Sequence, residues 1–106
     1  MQMSVNERIQ QLVDSNPVIV FMKGTPQFPQ CGFSARAVQV LQQSGTNFAH
    51  VNVLEDPEIF QGLPAFADFP TFPQTYISGE LIGGSDILIE MMQNGELKQM
   101  LDEIAA

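Results

Sequence analysis

One cysteine, Cys31, sits inside the stretch Lys23 to Arg36, KGTPQFPQCGFSAR. The apolar run Val18-Ile-Val-Phe-Met22 leads into it and reads as a strand. An amphipathic segment from about Phe33 to Ser44 leads out of it and reads as a helix. A thiol at a strand-to-helix turn meets the positive end of the helix, which favours the thiolate over the thiol. The thiolate is both the better nucleophile and the metal-binding form. Gly32 lets a ligand backbone approach closely. Three residues beyond Cys31 stands Ser34, which cannot attack a disulfide, so a mixed disulfide at Cys31 must be resolved by an outside thiol. The bland alternative is a lone cysteine acting as a small buried apolar side chain.

Two other stretches carry candidate chemistry. In Thr71-Phe72-Pro73 a proline heads a strand. If its peptide bond is cis, the Phe72 N–H and C=O turn outward and can pair with a peptide-like ligand. Taken alone, the string favours a plain turn proline. In Gly83-Gly84-Ser85-Asp86 a double glycine precedes a helix start whose N–H groups can bind a carboxylate, while Asp86 can pair with an ammonium. The alternative there is an ordinary capped helix. His50 reads as structural or surface, and Met91, Met92 and Met100 as core positions on the last helices. The chain has no second His or Cys to build a zinc site, and no phosphate-binding glycine loop with its lysine.

The elements that must position these residues follow from pattern. Ser4 and Glu7 form a capping box ahead of a helix over about Val5 to Ser15, ended by Asn16-Pro17. The strand Val18 to Met22 is apolar throughout, as a strand covered on both faces should be. After the Cys31 helix, stopped at Ser44-Gly45, comes a strand from Phe48 to Val53. Strand, helix, strand implies a parallel pair. Asp56-Pro57 opens a third helix that Pro64 is expected to break or bend. Pro73 to Ser78 and Leu81-Ile82 form a hairpin about Ser78-Gly79-Glu80. Ser85 or Asp86 is expected to cap a helix through Asn94, and Gly95 separates it from a last helix to about Ile104. A parallel pair and an antiparallel hairpin in one four-stranded mixed sheet, with helices on both faces, is an α/β, thioredoxin-like arrangement.

Composition narrows the partners. A chain of 106 residues with 44% apolar content fits one domain, expected over 1–106. The net charge of −8, with Arg8, Lys23, Arg36 and Lys98 the only basic residues, argues against nucleic acid and anionic membranes. Lys23 and Arg36 flank Cys31 and suggest a local positive pocket; Arg8 and Lys98 read as solvated charges. No apolar run approaches a bilayer span. The polar start MQMSVNERIQ carries no export signal pattern and a single cysteine suits a reducing compartment, so a cytoplasmic location is expected.

Taken together, Lys23-Gly24-Thr25-Pro26, Cys31-Gly32-Phe33-Ser34, Phe69-Pro70-Thr71-Phe72-Pro73-Gln74 and Gly83-Gly84-Ser85-Asp86 resemble the monothiol glutaredoxins of the CGFS class, over nearly the whole chain. The resemblance implies a thioredoxin-like fold, a cis bond before Pro73, and a [2Fe–2S] cluster shared between two chains with glutathione. It implies a role in storing and transferring that cluster to apo iron–sulfur client proteins, with a cluster-bridged homodimer and a BolA-like protein as partners. By the same resemblance Cys31 is the cluster ligand, and Lys23, the Phe72 backbone, Ser85 and Asp86 contact glutathione. The loop Gly24 to Gln30 matches one thought to disfavour ordinary disulfide reduction. Three departures stand out. Phe69 replaces a common Trp, Ser85 replaces a common Cys, and Phe60 replaces an Arg that helps hold a glutathione carboxylate. The count of thiolates agrees with the resemblance: a [2Fe–2S] centre takes about four, and two chains with two glutathiones supply them. The alternative function is a glutathione-dependent thiol–disulfide oxidoreductase working through Cys31 alone, expected to be weak at most. The third is an interaction domain with an inert thiol.

Overall fold

The computed structural model describes residues 3–105, so Met1, Gln2 and Ala106 of the domain expected over 1–106 lie outside it. Chain order gives α1 (Val5–Ser15), β1 (Val18–Met22), α2 (Gly32–Gln43), β2 (Ala49–Asn52), a short 3-10 turn (Val53–Glu55), α3 (Pro57–Phe66), β3 (Gln74–Ile77), β4 (Glu80–Gly83), α4 (Ser85–Asn94) and α5 (Glu96–Ala105). The four strands form one mixed sheet in the order β2-β1-β3-β4, with β1 parallel to β2 and antiparallel to β3, and β3 antiparallel to β4. This is the expected thioredoxin-like arrangement.

All five residues of β1 are buried, because helices cover both faces of the sheet. Side chains alternate along a strand. Val18, Val20 and Met22 therefore pack with Val38, Leu41, Leu88 and Leu97 of α2, α4 and α5. Ile19 and Phe21 pack on the opposite face with Ile9, Val13, Ile59 and Leu63 of α1 and α3. The β3–β4 turn places Ser78 at φ 52° and Gly79 at φ 81°, the two positive values that a tight hairpin needs to match strand twist.

Local signals held where one turn of chain decides the outcome. Ser4 and Glu7 close the capping box, with hydrogen bonds of 3.1 Å in each direction. Others are corrected. Helix α3 is not broken at Pro64 but continues to Phe66, since a proline in the last turn forfeits only one backbone bond. Neither Ser85 nor Asp86 caps α4: Gly84 occupies the cap and supplies no side chain, and Ser85 begins the helix proper. Met91 and Met100 lean on the core, but Met92 is exposed, because it projects from the outer side of α4. His50 is exposed on β2, as expected of a surface residue. Arg8 is not a solvated charge: its Nη2 donates to Asp56 Oδ2 at 2.6 Å and joins α1 to the cap of α3. Lys98 pairs with Asp102 at 2.6 Å on the open side of α5.

Candidate functional site

Cys31 occupies the N-cap of α2, with extended backbone, and its side chain is half-buried. The neutral thiol closes no side-chain capping bond there. What the first turn favours is the ionised sulfur. The thiol is held below its ordinary value chiefly by the backbone N–H of Ser34. Partial burial opposes the shift; the Phe33 N–H, the Ser34 hydroxyl and the charge on Lys23 reinforce it. Ser34 itself is fully buried, and its Oγ accepts the Lys23 N–H at 3.1 Å. The serine that cannot resolve a disulfide thus joins the end of β1 to the start of α2.

The connecting loop is held rigid. Gly24 lies at φ 95°, and a Cβ there would meet Phe28 O at 2.5 Å and Gln30 N at 2.7 Å. Its own N–H donates to Asn52 Oδ1 at 2.9 Å, and the same oxygen accepts the Leu54 N–H at 3.1 Å. The Gln30 N–H returns to Lys23 O at 2.9 Å. Asn52 therefore ties the Cys31 loop to the end of β2.

A cleft of about 770 Å³ opens beside the sulfur. Lys23 from the end of β1 and Cys31 and Phe33 from α2 form one side. Phe60 and Pro64 of α3 and the segment Phe69 to Pro73 form the other, and Gly84 to Ile87 of α4 close the end. All the residues singled out from sequence, Cys31, Lys23, Phe72, Ser85 and Asp86, come together here. Arg36 does not: it is exposed on α2, more than a turn beyond Cys31, so the positive pocket rests on Lys23. The Phe72–Pro73 peptide is cis, as the resemblance implied and against the local reading of a plain turn proline.

Gln74 and Tyr76 shape the Phe69–Pro73 side; Gln74 ends the motif Phe69 to Gln74, in which it has no assigned role, and Tyr76 lies in no motif. Gln74 is fully buried, and its Nε2 donates to Phe69 O at 2.9 Å and Thr71 O at 3.3 Å. Its Oε1 accepts the Tyr76 hydroxyl at 2.9 Å. Burial pushes the Tyr76 phenol up to about 12, so it stays protonated and a donor. On the rim, the Phe60 ring lies 5.3 Å from that of Phe72, and Lys23 Nζ lies 5.9 Å from the Phe60 centroid.

Comparison with known proteins agrees with this geometry. The glutaredoxin family model matches residues 18–82. The chain belongs to the glutaredoxin family. It is 52% identical over 100 residues to glutaredoxin 4 of Escherichia coli strain K12, covering 94% of this chain and 87% of that protein. It is 61% identical over 89 residues to a Legionella pneumophila protein named "Probable monothiol glutaredoxin GrlA", covering 83% of this chain and all of that one (100%). The crystal structure of a buckwheat glutaredoxin–glutathione complex superposes with a TM-score of 0.85 at 30% identity, over 96% of this chain and 91% of that one. With Ser34 three residues beyond its only cysteine, this chain is a monothiol glutaredoxin.

As a glutaredoxin, the chain gives cleft roles to residues for which sequence reading assigned none. Phe33, Pro64, Pro70 and Ile87 complete the cleft walls, and Asn52, Gln74 and Tyr76 fix its loops. The signal for Gln74 and Tyr76, weak by itself, was a run of three residues with polar groups, Gln74, Thr75 and Tyr76, in a strand whose four residues are all buried.

Proposed function

We propose that this monothiol glutaredoxin seats glutathione in the cleft beside Cys31 and, as a pair of chains, carries a [2Fe–2S] cluster for storage and delivery to apo iron–sulfur proteins. The observation that carries the reading is the placement of Cys31: a single half-exposed sulfur, favoured as thiolate, at the mouth of a cleft of about 770 Å³. Among the described residues no three His, Cys, Asp or Glu side chains group as metal ligands, so each chain offers the cluster one thiolate. Two Cys31 sulfurs and two glutathione sulfurs complete the four ligands that such a centre takes. The donor set therefore fits a cluster bridging two chains, and does not fit one held within a single chain.

The chain's own residues divide the work. Lys23 supplies the cation for a glutathione carboxylate. The Phe72 backbone pairs with the cysteinyl unit, as the tripeptide lies along the Phe69–Pro73 segment. The first turn of α4, with glycine at its cap, offers the N–H groups of Ser85 and Asp86 to the second carboxylate, and the Asp86 side chain faces the ammonium. The buckwheat glutaredoxin forms a complex with glutathione, which supports the same class of ligand here. The cluster is cargo: half of its ligands exchange with solvent, which suits delivery. A cytoplasmic location and a BolA-like protein as alternative partner belong to the same reading.

Anaerobic reconstitution with iron, sulfide and glutathione is the test. A visible-absorbing species of twice the monomer mass is expected, absent without glutathione and absent in Cys31→Ser. Undiminished colour in Cys31→Ser overturns the reading.

The favoured thiolate also supports a second reading, a glutathione-dependent oxidoreductase. Cys31 would attack the glutathione sulfur of a mixed disulfide, bonding to it and expelling the other thiolate. A second glutathione thiolate would then attack the Cys31-bound sulfur, releasing oxidised glutathione and restoring Cys31. Weak turnover is expected in a coupled assay, and turnover matching a dithiol glutaredoxin would reverse the ranking.

A further inference from the structure

We propose that the cleft prefers a glutathione-like thiol whose far end is uncharged or apolar, and that Phe60 sets this preference. The inference rests on the glutathione reading above and adds the chemistry of the ligand's distal end.

The first observation is the supply of cations. Of the chain's four basic residues, Arg8 is committed to Asp56 and Glu58, Lys98 to Asp102, and Arg36 is exposed on α2 outside the cleft. Among the described residues Lys23 is the one cation lining the cleft, and Asp86 adds a negative charge to the same walls. The second is the rim. Phe60 is 37% exposed, rests on Phe72 at 5.3 Å and faces the Lys23 ammonium at 5.9 Å. That ammonium is already drawn to an aromatic face. A ligand end reaching past Lys23 therefore meets an open aromatic ring and no second cation.

A carboxylate at that end has Lys23 as its one cation, and reaches it only by being desolvated against the ring, on a molecule of net charge −8. An uncharged, slightly apolar end covers the ring instead. Each methylene buried there corresponds to about a threefold to fourfold gain in affinity. The site thus accepts capped or extended tripeptide thiols that a two-cation site would disfavour.

The test compares S-methylglutathione with its glycyl ethyl ester by calorimetric titration of the intact protein; neither ligand can exchange disulfides. The ester is expected to bind at least as tightly as the acid, and up to about tenfold tighter. Phe60→Arg should reverse the order by tightening the acid, with the reversal shrinking as salt rises. Phe60→Leu, which keeps an apolar side chain and the fold, should lower the ester's affinity without favouring the acid. A native protein that binds the acid more tightly than the ester overturns this proposal and leaves the glutathione reading standing. An unchanged order in Phe60→Arg overturns the role of Phe60. If neither ligand binds, the glutathione reading falls, and this inference with it.

Discussion

At Cys31 the decisive contacts are backbone N–H groups, not a neighbouring base. The Ser34 and Phe33 amides, the Ser34 hydroxyl and the Lys23 charge all act on the sulfur from within four residues of it or from the adjoining end of β1. They favour the charged form, so the thiol of the folded chain should titrate below its unfolded value of about 8.5. The rate of iodoacetamide alkylation against pH should have its midpoint lower in the native protein than in urea. Ser34→Ala removes the hydroxyl but keeps the amide that contributes most. Its midpoint should rise yet stay below that of the unfolded chain. A Ser34→Ala profile that coincides with the native one would assign the whole effect to the backbone.

Among the elements, α1 and α3 meet through the pairs Arg8 makes with Asp56 and, at longer range, with Glu58. Asp56 accepts the Ile59 N–H at 3.3 Å as the cap of α3 and binds Arg8 of α1 at 2.6 Å. The Arg8 guanidinium holds the Asp56 carboxyl below its usual range, against an opposing push from burial. Its contribution to stability is therefore fully present above the unfolded aspartate value of about 3.9, and is lost as pH falls through the lower folded value. Asp56→Ala should cost about 1 to 2 kcal/mol in urea unfolding at neutral pH, with the deficit closing under acid. A deficit independent of pH would mean that packing around the cap, not the charge, is what was lost. The Phe69–Pro73 segment depends on Gln74 in the same way. Tyr76→Phe leaves the buried Gln74 Oε1 without its donor and should cost about 1 to 3 kcal/mol. Because Gln74 also holds the Phe69 and Thr71 carbonyls, the same variant should weaken S-methylglutathione binding more than Asp56→Ala does. Equal affinities in the two variants would argue against Gln74 as the positioning residue of the cleft.

For the whole molecule, net charge bears on the proposed pairing of two chains. Two chains of net charge −8 repel one another before any cluster joins them. Screening that repulsion should raise the fraction of cluster-bridged dimer when salt increases from about 20 to about 300 mM, as read by sedimentation of the reconstituted protein. Loss of dimer over that range would show that the single Lys23 contact to glutathione, itself screened by salt, outweighs the repulsion between bodies.

How much of this was legible depends on how far apart in the chain the interacting groups lie. The element order and the all-apolar β1 were readable because periodicity and caps act within one turn of chain. So was Cys31 at the start of a helix. Helix α3 passing Pro64 and Gly84 taking the cap that Ser85 or Asp86 was expected to fill turned on where each helix begins and ends, and Met92 facing solvent on which side of α4 met the core. The cis bond at Pro73 was implied by resemblance alone, since the local string favours an ordinary turn.

By itself the sequence determined the chemistry available: one thiol, one serine where a second thiol would stand, and a shortage of cations. Tertiary structure alone decided which groups share a space. It put Asn52 against Gly24, 28 residues away, and Phe60 between Lys23 and Phe72, and it left Arg36 outside. The reason is physical: a residue's type travels with the chain, whereas its neighbours are fixed only when both faces of the sheet are covered and the loops at its end are drawn together.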